Sequence, residues 1–223
     1  MVSETHCQYR CAGVDGCRSG WLVASRTGVS VYAAFAAVVD EFDLVGVDMP
    51  IGMPPPHPRL ADIEARRYIS PRGSTIFPTP ARACLQADSY AQACAISRTA
   101  VGQKISKQAW NILPKIREVD RAVGVESEPF VVEVHPECSF AALSDGRPLS
   151  SKHTAFGRQQ RLHLLEPIFG SLPKAPDGAR TDDVLDAFAV LWSTERFANN
   201  THRTFPATQT QRDQRGLRMR IVT

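Results

Sequence analysis

The chain lacks any long apolar run. Its longest, Val29–Val39, spans 11 residues with Ser30 inside it, where a bilayer-crossing helix takes about 20, so no membrane span is expected. It has little excess charge: 26 Lys and Arg against 23 Asp and Glu leave +3. That balance does not mark a polyanion binder by itself, and a nucleic-acid reading has to come from where charges sit. The six cysteines, Cys7, Cys11, Cys17, Cys84, Cys94 and Cys138, form no C-x-x-C pair. With His6 added, their spacing still fits no structural zinc pattern. The polar start Met1–Arg10 has no apolar core of a secretion signal, which with the cysteine usage predicts a reducing, cytoplasmic setting. Repeats, low-complexity tracts and a glycine-rich phosphate loop are all missing.

What is present is ordinary globular material, 43% hydrophobic and 22% charged over 223 residues, enough for one sizeable core and read as a single domain, 1–223. Strands are predicted over Arg10–Asp15, Gly20–Arg26 and Val29–Tyr32, joined by tight glycine-containing turns as an antiparallel meander. A short helix over Ala34–Phe42 and a strand over Asp43–Asp48, apolar enough to be buried on both faces, come next. Stacked prolines make Met53–Pro58 an extended loop. A helical insertion near 53–125 has helices over Asp62–Ile69 and Tyr90–Ala100 and a third begun by Ser106 as N-cap. In that third helix Ala109, Ile112, Leu113, Ile116, Val119 and Val123 mark the buried face, and Pro114 is expected to kink it. Phe130–Val134 is another buried strand, His153–Leu165 and Asp182–Phe197 are helices, and Leu217–Val222 is read as an edge strand. Meander, helix, parallel strand, helices, parallel strand and helix is the order of the ribonuclease H-like architecture: an α/β mixed sheet with helices on both faces.

Three strands end alike. Asp15 closes the first before Gly16, Asp48 closes the buried strand before Met49-Pro50, and Glu133 nears the end of another before His135-Pro136. Carboxyl ends of parallel strands are where open α/β sheets bind ligands. A carboxylate after several apolar residues has to be neutralised, paired or metal-bound, and three at one edge repel one another unless a cation sits among them. Hard oxygen donors suit Mg2+ or Mn2+. A fourth contribution comes from Asp182, Asp183 and Asp186. The first two are explained by capping and the helix dipole, whereas Asp186 lies beyond the first turn of an otherwise apolar helix. An Asp-Gly turn likewise accounts for Asp15 taken alone; the recurrence at three strand ends is what points to a site.

With these residues in hand, the chain resembles the domain of unknown function 429 family, regarded as ribonuclease H-like nucleases. The matching segments are Gly13-Val14-Asp15-Gly16-Cys17-Arg18, Asp48-Met49-Pro50-Ile51-Gly52, Ser74-Thr75-Ile76-Phe77-Pro78, Gln108–Ile116, Glu133-Val134-His135-Pro136-Glu137 and Asp182–Ala187. The resemblance implies a site of Asp15, Asp48, Glu133 and one or more of Asp182, Asp183 and Asp186, and a nucleic acid as substrate. In a two-metal hydrolysis Asp15 bridges both ions, Asp48 and Asp183 or Asp186 complete one each, and Glu133 ligates metal or orients water. His135 is placed to shuttle a proton. Arg18, Arg72, Ser74, Lys107 and Lys115 are candidates for the phosphate backbone, with Thr75, Lys104, Arg117 and Arg121 beside them and Trp110 and Phe77 as stacking candidates. Two other readings stand beside the nuclease: a binding or scaffold protein that keeps the fold without chemistry, and a phosphotransferase of the sugar kinase and actin group, which needs two such domains and a phosphate loop.

Overall fold

The computed structural model describes residues 9–54, 58–209 and 211–223; the polar start, His6, Cys7 and the middle of the Met53–Pro58 loop lie outside them. Strands β1 (Cys11–Cys17), β2 (Gly20–Ser25) and β3 (Gly28–Tyr32) form the expected antiparallel meander, with Asp15 opposite Leu22. Helix α1 (Phe35–Glu41) leads to β4 (Leu44–Val47), which runs parallel to β1, and β5 (Val131–Glu133) runs parallel to β4. The five strands are ordered β3-β2-β1-β4-β5, so the mixed sheet read from the sequence is the one observed. Between β4 and β5 lie α2 (Leu60–Tyr68), α3 (Tyr90–Val101) and α4 (Lys107–Ala122). The Ser106 side chain caps α4 by accepting from the Ala109 N–H, and the helix runs on as one element through Pro114.

Alternation along each strand sends successive side chains to opposite faces, and each face has its own cover. Ala12, Val14, Val45 and Val47 share a buried cluster with Leu113, Ile116 and Val119 of α4. Cys11, Leu22, Ala24 and Leu44 pack instead on α7 (Thr181–Ala198), through Leu185, Phe188 and Leu191. The α7 backbone comes very close to the sheet: a Cβ on Gly13 would lie 2.2 Å from the Ala187 carbonyl oxygen. Only glycine admits that approach, and it brings the first turns of α7 against the β1 end that carries Asp15.

Two expectations need correction. A helix not anticipated, α5 (Pro136–Leu143), starts directly after β5, with Pro136 supplying the preset φ of a first helical turn; α6 (Ala155–Phe169) follows. The tail is not one edge strand. Its pieces, β8 (Arg218–Met219) and β9 (Ile221–Val222), pair separately with β7 (Gln211–Arg212) and β6 (Thr204–Phe205). Asp213 accepts the Arg215 and Leu217 N–H groups and holds the turn that folds this segment onto itself.

Candidate functional site

At the carboxyl ends of β1, β4 and β5 opens a cleft of about 660 Å³ whose walls include Asp15, Asp48, Glu133, His135, Glu137 and Lys152. Asp15 continues the Cys11, Gly13 alternation and so projects on the α7 side of the sheet. Asp48 follows β4, its N–H bonded to the Val14 carbonyl at 2.9 Å. Asp186 comes from the second turn of α7 and is buried. These are the three carboxylates that the field of the site couples. Burial drives Asp15 well above the usual carboxylate range, helped by Asp48, Asp186 and Asp183 and opposed by Lys152. Burial also pushes Asp48 up to about 8, with Asp186 adding and Lys152 subtracting. Asp186 is raised by burial against the pull of Lys152.

Their hydrogen bonding is thin. The Asp15 carboxylate accepts only the N–H of Gly16, at 2.7 Å, and no hydrogen bond or ion pair reaches the Asp48 side chain among the described residues. One oxygen of Asp186 is taken by the Lys152 ammonium at 2.5 Å, while the other is buried with no partner. Lys152 sits in the loop before α6, and nothing in its local sequence singles it out. It is the cation of this cluster: burial works against its charge, but Asp186, Asp48 and Asp15 together hold its pKa above the ordinary lysine value.

Glu133 has a different surrounding. It stands opposite Val47 in the β4–β5 register and shares the face away from α7. Its Oε1 accepts from Arg59 Nη1 at 3.0 Å, and its Oε2 from Arg59 Nη2 at 2.5 Å and the Ile51 N–H at 2.7 Å. Arg59 is 1% exposed and also meets Asp62 at 3.2 Å and Thr79 at 2.8 Å. Burial lifts Glu133 to about 7 while Arg59 pulls it back. This side chain is engaged in fixing the Asp48–Ile51 turn. Glu137 is held likewise, with both oxygens 2.9 Å from Nη2 of the buried Arg161 and one 3.4 Å from Arg72. Nothing in the sequence marks Arg59 or Arg161 as a site residue.

The remaining candidates separate. Asp183 accepts the Arg180 N–H at 2.8 Å and so caps α7, whereas Asp182 faces Arg158 at 4.0 Å and has one oxygen buried without a hydrogen-bond partner. His135 lines the cleft, its Nδ1 buried without a partner and its pKa lowered to about 4 by burial. Arg72 and Ser74 line the cleft as well, with Thr75 and Phe77. Arg18 is exposed and borders a separate recess with Arg180 and Asp183. Three basic side chains of α4 are engaged within the fold. The Lys115 ammonium donates to the Gly20 carbonyl at 2.6 Å and lies 4.3 Å over Trp21, and Lys107 lies 3.9 Å over Tyr90. Arg117 bonds the Leu85 and Ala87 carbonyls, and Trp110 packs against Tyr90.

In donor type, Asp15, Asp48 and Asp186 fit a hard dication: carboxylate oxygens with few hydrogen bonds on two buried residues and one half-buried one, with one Asp186 oxygen orphaned. In placement, no group of three or more His, Cys, Asp or Glu side chains among the described residues is drawn together as a metal-ligand cluster, and Lys152 occupies the charge position among them. No helix of the described residues is long and apolar enough to cross a membrane.

Compared with known proteins, residues 13–211 match the family described as protein of unknown function (DUF429). No curated protein and no solved structure matches the chain.

Proposed function

The chain belongs to the DUF429 family, and from that premise and the cleft's chemistry we propose that it is a metal-dependent nuclease, hydrolysing phosphodiester bonds at Asp15, Asp48 and Asp186. The observation that carries the reading is the under-satisfied state of the buried Asp15 and Asp186 carboxylates beside the half-buried Asp48. Such a set costs folding free energy and is explained by a cation that neutralises it. Mg2+ or Mn2+, held by these residues, would lower the pKa of a bound water and neutralise charge building on the phosphoryl oxygens.

The chain's own residues do the rest. Lys152 opposes the rise that burial imposes on the Asp186 pKa and leaves its second oxygen without a partner. His135 is neutral at pH 7 and presents Nδ1 as an acceptor for a proton of water. Arg72, Ser74 and Thr75 stand on the cleft wall where the phosphate backbone of a nucleic acid would pass. Glu133 acts at one remove, through the turn it ties to Arg59.

The test is calorimetric titration of Mg2+ and Mn2+ into the wild type and Asp15→Asn, with cleavage of labelled single-stranded, duplex and hybrid DNA and RNA by both. Saturable binding and cleavage lost together in the variant are the expected result; absence of both from the wild type overturns it. The 2.5 Å Lys152–Asp186 pair favours a second reading, a binding protein in which lysine stands permanently in the metal's place. It predicts that Lys152→Met does not improve metal binding.

A further inference from the structure

Away from the acidic cleft, a second cavity of about 660 Å³ opens beside the C-terminal half of α7, lined by Tyr68, Leu143, Asp145, Trp192, Arg196 and Arg203 among others. None of the carboxylates discussed above contributes to it. Its wall carries two guanidinium groups side by side, neither paired with a carboxylate among the described residues. Arg59, Arg82, Arg161 and Arg26 each meet a carboxylate within 3 Å. Arg196 and Arg203 have no carboxylate within ion-pairing distance among the described residues.

Both are held in place by means other than an ion pair. The Arg196 guanidinium lies 4.7 Å over the Trp192 ring and donates through Nη2 to the Thr201 carbonyl, leaving Nε buried without an acceptor. Arg203 lies 5.0 Å over Tyr68. Its main chain is clamped to Thr223 by hydrogen bonds of 2.6 and 2.9 Å in both directions. Stacking orients a guanidinium without using its N–H edges; the Arg203 edges make no side-chain hydrogen bond among the described residues, while Arg196 spends one Nη2 N–H on Thr201 and keeps its other Nη donors. Burial lowers the Arg196 pKa and Arg203 lowers it further, so the two like charges meet across one wall. The Tyr68 hydroxyl makes no hydrogen bond among the described residues, although it senses both arginines. The one acidic side chain on the wall, Asp145, is itself largely exposed and faces Arg147 at 3.9 Å.

Two preoriented, unpaired forks converging on a recess match a tetrahedral oxyanion better than a planar ring, since Tyr68 is also covered by Phe205 at 5.0 Å and leaves no open face for a base to stack on. We propose that this cavity is a phosphate-binding site that seats one phosphate group, of a phosphomonoester or of a nucleic-acid backbone, between Arg196 and Arg203. The site stands independently of the acidic cleft and of any reaction there.

Trp192 is the reporter. Inorganic phosphate and a single-stranded oligothymidylate are titrated separately into the full chain at low ionic strength, following tryptophan fluorescence, with Trp192→Phe to assign the signal. Saturable phosphate binding is expected, weakened about tenfold by Arg203→Ala, the size of one charge-assisted hydrogen bond. Arg203 is exposed, so this variant should fold normally. Arg203→Lys should recover only part of the affinity, and Asp15→Asn should leave it unchanged. If the oligonucleotide binds far more tightly than phosphate, and Arg203→Ala reduces its salt slope by about 0.7 as one phosphate contact does, the source is a strand; equal affinities assign a small phosphomonoester. No saturable change up to about 20 mM phosphate, or equal affinity in Arg203→Ala, overturns the proposal.

Discussion

Two sets of acidic residues are treated oppositely by the fold: Asp15, Asp48, Glu133 and Glu137 border the same cleft, and Asp186 meets it through its ion pair with the wall residue Lys152. Glu133 and Glu137 are each gripped by a fully buried arginine, Arg59 and Arg161, through both carboxylate oxygens. Asp15, Asp48 and Asp186 share a single lysine that is one-third exposed. A buried carboxylate with a forked arginine partner is a finished structural unit: its charge is balanced and its lone pairs are used. A buried carboxylate with spare lone pairs and like-charged neighbours is unfinished, and the fold tolerates it only at a cost. The two sets separate carboxylates whose bonding is complete from carboxylates whose bonding is not, a distinction that residue type and strand position do not make.

The largest expected effect tests the finished set. Arg59→Met strands Glu133 in the interior and should destabilise the protein by about 3–5 kcal/mol in urea denaturation at pH 8. The loss should shrink as pH falls, since burial raises the Glu133 pKa and removing the pull of Arg59 raises it further, so the stranded carboxylate escapes its charge by taking up a proton. Adding Glu133→Gln to Arg59→Met should restore part of it. Removing an acid from the unfinished set should do the reverse for stability. Asp15→Asn should raise the unfolding free energy by about 1 kcal/mol or more, by relieving buried repulsion, while nucleic-acid cleavage falls on the order of 10³-fold. A destabilised Asp15→Asn protein would erase the contrast.

The pH dependence sharpens it. Folding holds Asp48 protonated up to about 8, whereas the unfolded chain releases that proton near about 4. Between those values the folded state binds more protons than the unfolded one. In the presence of a chelator, stability should therefore decline as pH rises from about 4 to about 8. Millimolar Mg2+ at pH 8 should offset the decline, as thermal unfolding would show, and a flat profile without metal counts against the cluster. The smallest effect is that of Lys152→Met. Its ion pair is partly solvated, so the variant should lose about 1 kcal/mol without metal and recover it when Mg2+ is added; no recovery favours the permanent-lysine reading.

Much of this was readable from the chain. The meander, the buried strands β4 and β5, the Ser106 cap and the α4 face follow from periodicity and turn chemistry, which are local. Asp15 and Asp48 could be placed at strand ends, and Asp186 could be separated from its helix-start neighbours by its depth in an apolar helix. The short α5 escaped because eight residues led by a proline carry little period. Glu133 was grouped with the aspartates because alternation assigns a residue to one of two faces but not to which, until the β4–β5 register sets it opposite Val47.

The sequence by itself determined the elements, their order and the positions where acids interrupt apolar strands, since burial and dihedral preference act over a few residues. Tertiary structure alone decided which of those acids are satisfied. The partners come from far along the chain, Arg59 from 74 residues before Glu133, Arg161 from 24 after Glu137 and Lys152 from 34 before Asp186. Whether a buried charge is quenched depends on what the packed interior brings within about 3 Å of it, because the energy of an ion pair turns on separation and local dielectric, and neither is written in a residue's neighbours along the chain.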